Sequence, residues 1–400
     1  MASSKWARTG AWWIAGVIGM VLSGHAMALE WNLQPPVTPI AAEIVTLHNY
    51  VMVIIIVIFV GVFGVMFYSV FAHRKSKGHK AAQFHENTTA EMLWTVIPAI
   101  ILVAIAVPAT KTVIWQKDTS NPDLTIKATG YQWKWGYEYV QGEGKGIHFL
   151  STLSTPQDEI VGDAPKDAHY LLEVDHPVVV PVNKKVRVLT TAGDVIHSWW
   201  VPAFGVKQDA IPGLIRDTWF RATKTGTYRG QCTELCGKNH AFMPIVVKVV
   251  TQAQYDAWVK QQTEQVASAA EDVNRTWTLD KLKTQGEKVY TANCVACHQA
   301  TGMGIPGTFP PISAGNPFQA SPQMLKELED RGFYKDGKIV MGPLEHHVNI
   351  VLHGIPGTAM AAFGKQLSDT DIASVITYER NSWGNSGGPV QPAEVKALRK

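Results

Sequence analysis

The stretch GQCTELCGKNHAFMP, residues 230–244, decides how the middle of this chain folds. It places Cys232, Cys236, His240 and Met243 on one short segment. Thiolate, thioether and imidazole are the soft donor set that copper takes when it carries electrons. A lone His197 lies upstream in GDVIHSWWVP, residues 193–202. One ligand loop joined by a histidine from a distant strand end is the arrangement of a copper site in a β-sandwich. The second cysteine changes the metal count. Two thiolates four residues apart can bridge two coppers, each taking one histidine, with Met243 and a backbone carbonyl in the weaker positions. Two other readings use the same residues: a Cys232–Cys236 disulfide, which leaves His240 and Met243 without purpose, and a tetrahedral zinc site from two cysteines and two histidines.

The surrounding texture is β. From residue 124 to 250, short alternating stretches such as LTIKATG, KKVRVLTTAG and MPIVVKVV are separated by Gly, Pro, Asn and Asp. That spacing predicts a sandwich or a Greek-key barrel. The polar run QAQYDAWVKQQTEQVASAAED then predicts a terminal helix passing into a linker. Beyond residue 278 the period becomes helical. TLDKLKTQGEKVYTANC leads into the other two of the four cysteines, and SDTDIASVITYERNSW opens with Ser368 and Asp371 as a capping box.

CVACH, residues 294–298, has the Cys-x-x-Cys-His form of covalent c-type haem attachment. Cys294 and Cys297 would add across the haem vinyls, and His298 would bind the iron. A thioredoxin-like dithiol would need a βαβ pattern, and none surrounds this motif. Met303, Met341, Met360, His346, His347 and His353 are the candidates for the opposite axial position. Met303 is too close to the attachment site to reach the other haem face. Gly286, Tyr290 and Tyr378 suit the packing of a first helix across a last one.

Toward the N-terminus, Lys5 and Arg8 precede AWWIAGVIGMVL, and SGHAMA ends at Ala28. This is the form of a secretory signal peptide, cleaved after Ala28. Two uncharged runs follow, residues 50–68 and 92–110, inside spans of about 44–72 and 92–115. The loop between them carries Arg74, Lys75, Lys77 and Lys80 ahead of its first acid, and residues 29–43 carry no Lys or Arg. The positive-inside rule puts the loop in the cytoplasm and everything after residue 116 outside. Over the whole chain of 400 residues the formal charge is only +3, which with no basic stripe argues against nucleic acid.

YQWKWGYEY (131–139), DVIHSWWVPAFGVKQDAIPG (194–213) and GQCTELCGKNHAFMPIVV (230–247) carry a specific resemblance. From about residue 30 to 258 the chain resembles subunit II of haem–copper cytochrome c oxidase. The resemblance implies a dinuclear copper centre, CuA, held in a cupredoxin domain by His197, Cys232, the Glu234 backbone carbonyl, Cys236, His240 and Met243. It also implies that the Glu234 side chain faces a magnesium ion shared with subunit I. Trp133 would be where electrons reach the copper domain, and Glu91 would sit at the cytoplasmic mouth of a proton channel into subunit I. HGIPGTAMAAFGKQLSDTDIASVITY (353–378) is similar to the cytochrome c segment that delivers the axial methionine, which selects Met360. Ala361 stands where that family usually has proline.

The fold class expected is thus a multi-domain membrane protein: a two-helix transmembrane hairpin, an all-β cupredoxin domain and an all-α cytochrome c domain. The expected divisions are a signal peptide (1–28), an N-terminal segment with the hairpin (29–116), the CuA domain (117–250), helix and linker (251–277), the cytochrome domain (278–385) and a tail (386–400). The whole resembles a caa3-type oxidase subunit in a bacterial inner membrane, with both cofactor domains periplasmic. It would partner subunits I and III and take electrons from a soluble or membrane-bound cytochrome or a reductase. Quinol oxidases lack the copper ligands, and nitrous-oxide-reductase-like enzymes need a further His-rich cluster, so neither fits. A membrane-anchored electron carrier outside any oxidase is the alternative.

Overall fold

The computed structural model describes residues 32–399 apart from 81, 82, 84 and 365, with the backbone alone for 266–272. The signal-peptide segment lies outside the described residues.

Helix α1, Pro39–Ala72, starts earlier than the apolar run because Thr38 caps it. The Thr38 side chain accepts from the Ala41 N–H, and Pro39 fills the first turn, where no backbone donor is needed. Helix α2, Thr88–Gln116, is capped by Asn87 and contains Pro98 and Pro108. Along these helices Val57, Val65 and Leu102 are each about two-thirds exposed, at 66%, 69% and 67%. Two adjacent helices with so much apolar surface uncovered need hydrocarbon around them.

Both ends of the hairpin are fastened to the β domain. Before α1, the Val37 N–H donates to Ala203 O (3.1 Å), and Val37 O accepts from the Thr223 N–H (2.9 Å). Thr38 Oγ1 donates to Phe204 O (2.8 Å). After the second span, Gln116 Nε2 donates to Gly205 O (3.1 Å). Val37 is buried within the sandwich core.

That core lies between two five-stranded sheets, in the orders β3-β2-β1-β5-β8 and β4-β10-β9-β6-β7. The first comprises β1 (Leu124–Tyr131), β2 (Lys134–Gln141), β3 (His148–Ser151), β5 (Val186–Ala192) and β8 (Arg216–Phe220). The second comprises β4 (Val178–Pro181), β6 (His197–Val201), β7 (Val206–Ala210), β9 (Gly226–Cys232) and β10 (Pro244–Val250). β1 runs parallel to β5 and β10 parallel to β4, as Greek-key crossovers require. Trp135, Tyr139, Trp199 and Phe204 fill the space between the sheets. The Tyr139 hydroxyl donates to Val179 O (2.7 Å) and accepts from its N–H (3.0 Å), so a buried phenol bridges the two sheets without an unpaired oxygen.

Helix α3, Gln252–Asp272, leaves the sandwich, and α4, Leu279–Asn293, begins after the six intervening residues 273–278. The last region folds on α4, α5 (Leu344–His353) and α6 (Asp369–Glu379), with the Ser368–Asp371 capping box formed at the start of α6. The segment expected as a tail carries a further helix, α7 (Pro392–Leu398). Val390 and Val395 are buried in the same core as Leu282 and Ile376, so this segment completes the helical domain. Its period was too short to register in the sequence.

Gly286 lies at the α4–α6 crossing. A Cβ there would stand 2.0 Å from Ser374 O, which is backbone and cannot turn aside. Gly286→Ala must therefore part the helices. The expected cost is about 3 kcal/mol, read as a lower melting temperature of the helical domain with the β domain unchanged.

Candidate metal and haem centres

The register of two strands builds the first centre. Trp199 on β6 pairs with Cys232 on β9, so His197, two residues back on the same face, lies diagonally beside Cys232. Room for the imidazole comes from Gly130 on β1, where a Cβ would meet His197 Cδ2 at 2.6 Å. The loop from Cys232 to Pro244 then folds back over this corner. Cys232 Sγ and Cys236 Sγ are 3.9 Å apart and unbonded. Cys232 Sγ is 3.9 Å from His197 Nδ1 and 3.4 Å from Glu234 O. Cys236 Sγ is 3.4 Å from His240 Nδ1 and 3.5 Å from Met243 Sδ. One histidine thus faces each sulfur, and the candidate weak donors, the Glu234 carbonyl and the Met243 thioether, sit on opposite sides of the pair. The ligand atoms of His197, Cys232 and Cys236 all fall within 4.8 Å of one another.

The surroundings favour a cation. His197 Nε2 donates to Asp194 Oδ1 (2.8 Å), which turns Nδ1 toward Cys232 and fixes the tautomer a metal needs. Burial opposes charge on His197, but the Asp194 carboxylate and the Cys232 sulfur outweigh it and raise its pKa. Burial, with Cys232 beside it, pushes the Cys236 thiol up to about 12. Cys232 is also opposed by burial, yet its hydrogen bonds with His197 and the Glu234 and Ser198 backbones hold it below the ordinary thiol value. Two sulfurs so placed do not both ionise alone; a soft cation between them makes both thiolates available and releases the protons. The donor set fits a copper pair. A four-ligand zinc site would leave Met243 and Glu234 O unused.

Asp194 was not singled out in the sequence. Its position three residues before His197 was the available signal. Gly130 gave none, because its reason is a contact with a residue far along the chain. Gly130→Ala should displace the imidazole and lower copper affinity by about tenfold or more, the scale of losing a ligand-orienting contact. Copper titration of the purified chain reads this directly.

Trp133 is half-buried against the sandwich core, with its indole N–H enclosed and unpaired among the described residues. The ring touches the copper loop: a Cβ on Gly237 would meet Trp133 Cζ2 at 3.1 Å. Trp133 lies in the turn before β2, with its ring against the loop that carries Cys236 and Gly237. Glu91 is in the first turn of α2, where Oε1 accepts from the Asn87 N–H (3.2 Å). It is far in sequence and in the fold from the copper corner.

The second centre starts where α4 ends. Cys294 follows Asn293 directly, and residues Val295–His298 form one more helical turn. His298 Nδ1 donates to Pro310 O (3.0 Å), leaving Nε2 as the free donor of an imidazole whose pKa burial lowers. A neutral imidazole with one nitrogen anchored is what an iron ligand requires. Burial raises the Cys294 thiol well above its ordinary value, and Cys297 follows for the same reason. The residues fit covalent haem. Pro310 was missed in the sequence because a backbone carbonyl leaves no mark there. Met360 is half-buried in the loop between α5 and α6, its carbonyl accepting from the Ile355 N–H (3.0 Å). Met303 and Met341 are exposed, at 45% and 39%.

Comparison with known proteins bears on both centres. Residues 124–250 match the family described as cytochrome c oxidase subunit II, periplasmic domain, and residues 26–112 match its transmembrane domain. Residues 281–378 match the family described as cytochrome c oxidase, cbb3-type, subunit III. Cytochrome c oxidase subunit 2 of Cereibacter sphaeroides is 41% identical over 243 residues, covering 58% of this chain and 79% of that protein. The Branchiostoma lanceolatum protein of the same name is 38% identical over 250 residues, covering 62% of this chain and all of its own length. A crystal structure of the periplasmic domain of subunit II of cytochrome oxidase from Bradyrhizobium japonicum is 48% identical, covers 37% of this chain and 98% of that one, and has a TM-score of 0.33. The chain belongs to the cytochrome c oxidase subunit II family, serves electron transfer in a haem–copper oxidase, and carries a cytochrome c domain behind its periplasmic copper-type domain.

Proposed function

We propose that this chain is the electron-receiving subunit of a caa3-type oxidase in a bacterial inner membrane. The observation that carries the reading is the occurrence, in one chain, of a two-sulfur corner with a histidine on each sulfur and of an anchored CVACH histidine. When bound, haem c and the CuA pair each supply one-electron redox chemistry. Cys294 and Cys297 would hold the haem covalently, and His298 and Met360 would bind its iron. His197, Cys232, Glu234 (by its carbonyl), Cys236, His240 and Met243 hold the copper pair. Trp133, whose ring lies against the loop at Gly237, would be where electrons reach the copper domain, which would pass them to haem a of subunit I, the site of oxygen reduction.

Glu234 is exposed on the outer side of the copper loop, next to Leu235, which is 80% exposed. A carboxylate presented there suits a magnesium ion shared with subunit I. Subunit III and a soluble or membrane-bound cytochrome or reductase complete the partners. Joining donor and acceptor in one chain replaces a bimolecular encounter with an effective concentration of about millimolar.

The test is an EPR and optical spectrum of the full chain, matured with haem and loaded with copper. The expected result is one electron shared over two copper nuclei beside a low-spin c-type haem. A mononuclear copper signal would overturn the reading. Glu91 is a separate part of the proposal, supported by its place at the cytoplasmic end of α2. Glu91→Ala should slow turnover of the assembled oxidase while copper content stays at the wild-type value; unchanged turnover at every pH would leave Glu91 as a helix cap alone.

A further inference from the structure

Lys134 is an unexpected residue to find buried. It is the first residue of β2, next to Trp133, and it is 4% exposed. Lysine is seldom enclosed without partners. Both of its partners belong to the cytochrome domain. Lys134 Nζ donates to Asn293 Oδ1 (2.5 Å), and Asn293 Nδ2 donates in turn to Val289 O (2.8 Å), which holds that oxygen toward the lysine. Nζ also lies 5.2 Å from the centroid of the Phe363 ring, a cation–π contact. Asn293 immediately precedes Cys294, and Phe363 is three residues past Met360. One ammonium therefore touches both the attachment side and the axial-loop side of the haem domain. Beside it, Leu150 on β3, paired with Gly136 of β2, packs into the cytochrome core with Cys294 and Val295.

The neighbouring residues face the other centre. Gln132 Nε2 donates to Cys236 O (2.8 Å), and Trp133 lies against Gly237. The linker gives little slack. Its six residues, 273–278, reach at most about 20 Å when extended, and Trp277 is tied to Gln391 by its N–H (2.8 Å) and its carbonyl (3.1 Å).

We propose that Lys134 is the positioning residue that seats the cytochrome domain on the copper domain, so that the chain works from one docked pose and not by a swinging tether. Gln132, Trp133 and Lys134 then form a three-residue bridge, with Gln132 and Trp133 on the copper loop and Lys134 on the haem domain. The proposal rests on the cofactor assignment above. It adds which residue fixes their relative placement.

The experiment uses the full chain in its oxidase complex, with both cofactors first verified by their spectra. Haem c is reduced by one electron from a flash-excited ruthenium polypyridyl complex with an amine as sacrificial donor, and the onward reduction of copper, as haem c is reoxidised, is followed with and without glycerol. Amide exchange is measured in parallel. The docked pose predicts a wild-type rate independent of viscosity. Lys134→Met should keep both spectra, slow the transfer by about tenfold or more, make it viscosity-dependent, and speed exchange at residues 290–297. Unchanged rate and exchange in a variant that holds both cofactors would overturn the proposal. If Lys134→Met loses copper, Leu150→Glu loosens the same contact from β3 and is read by the same two outcomes. A wild-type chain lacking either cofactor would defeat the cofactor assignment, while the exchange comparison would still decide the docking.

Discussion

A Cys236→Ser variant should lose the two-copper signal and, with it, about three orders of magnitude of oxidase turnover, equivalent to about 4 kcal/mol of barrier. The hydroxyl is smaller and harder than the thiolate it replaces, and copper in an electron-transfer site favours soft sulfur. The geometry makes this change selective. Cys236 is the sulfur that His240 Nδ1 and Met243 Sδ approach, at 3.4 Å and 3.5 Å. Cys232 would remain with His197, whose ring Asp194 still holds. One copper could stay on that half of the corner, so metal analysis should fall from two coppers per chain toward one. EPR should change from a pattern shared over two nuclei to that of a single nucleus. The haem spectrum should not move, because CVACH lies in a separate core. Full turnover in a chain that retains one copper would overturn the two-copper assignment.

The second large effect belongs to the haem. A Cys294→Ser/Cys297→Ser double variant should carry no covalent haem, so haem staining after denaturing electrophoresis should vanish. Donation from the haem domain would then stop, while the copper spectrum persists. Met360→Leu separates attachment from ligation. Stain should remain, but the sulfur–iron charge-transfer band should disappear and the haem potential should fall, since methionine ligation raises it. Persistence of that band would move the axial position to Met341, which is exposed in the fold.

Much of this arrangement was legible because its signals are local. Cysteine and histidine spacings, uncharged runs and the Ser368–Asp371 box each act over a few residues, and the structure brings His197, Cys232, Cys236, His240 and Met243 into one corner. What stayed hidden depends on distant pairing. The parallel contact of β1 with β5 sets where Gly130 meets His197, and no pattern within either strand announces it. The role of Lys134 depends on a residue 159 positions away. Read alone, it was one charge among aromatics. The closing helix Pro392–Leu398 is a single short turn set, and its burial comes from Val390 and Val395 finding the α6 face.

The fastening of the hairpin at Val37, Thr38 and Gln116 has a consequence for how such chains can be recombined. The anchor and the sandwich share hydrogen bonds and a core residue, so they are inherited as one piece. Swapping in a foreign anchor would strip the carbonyls of the Ala203–Gly205 turn of their donor partners and open the core at Val37. The helical domain is joined only through a short covalent link and one docking face. A chain that sheds it at residues 273–278 exposes Lys134 and Leu150, so the seat on β2 and β3 has to change with the domain it carries.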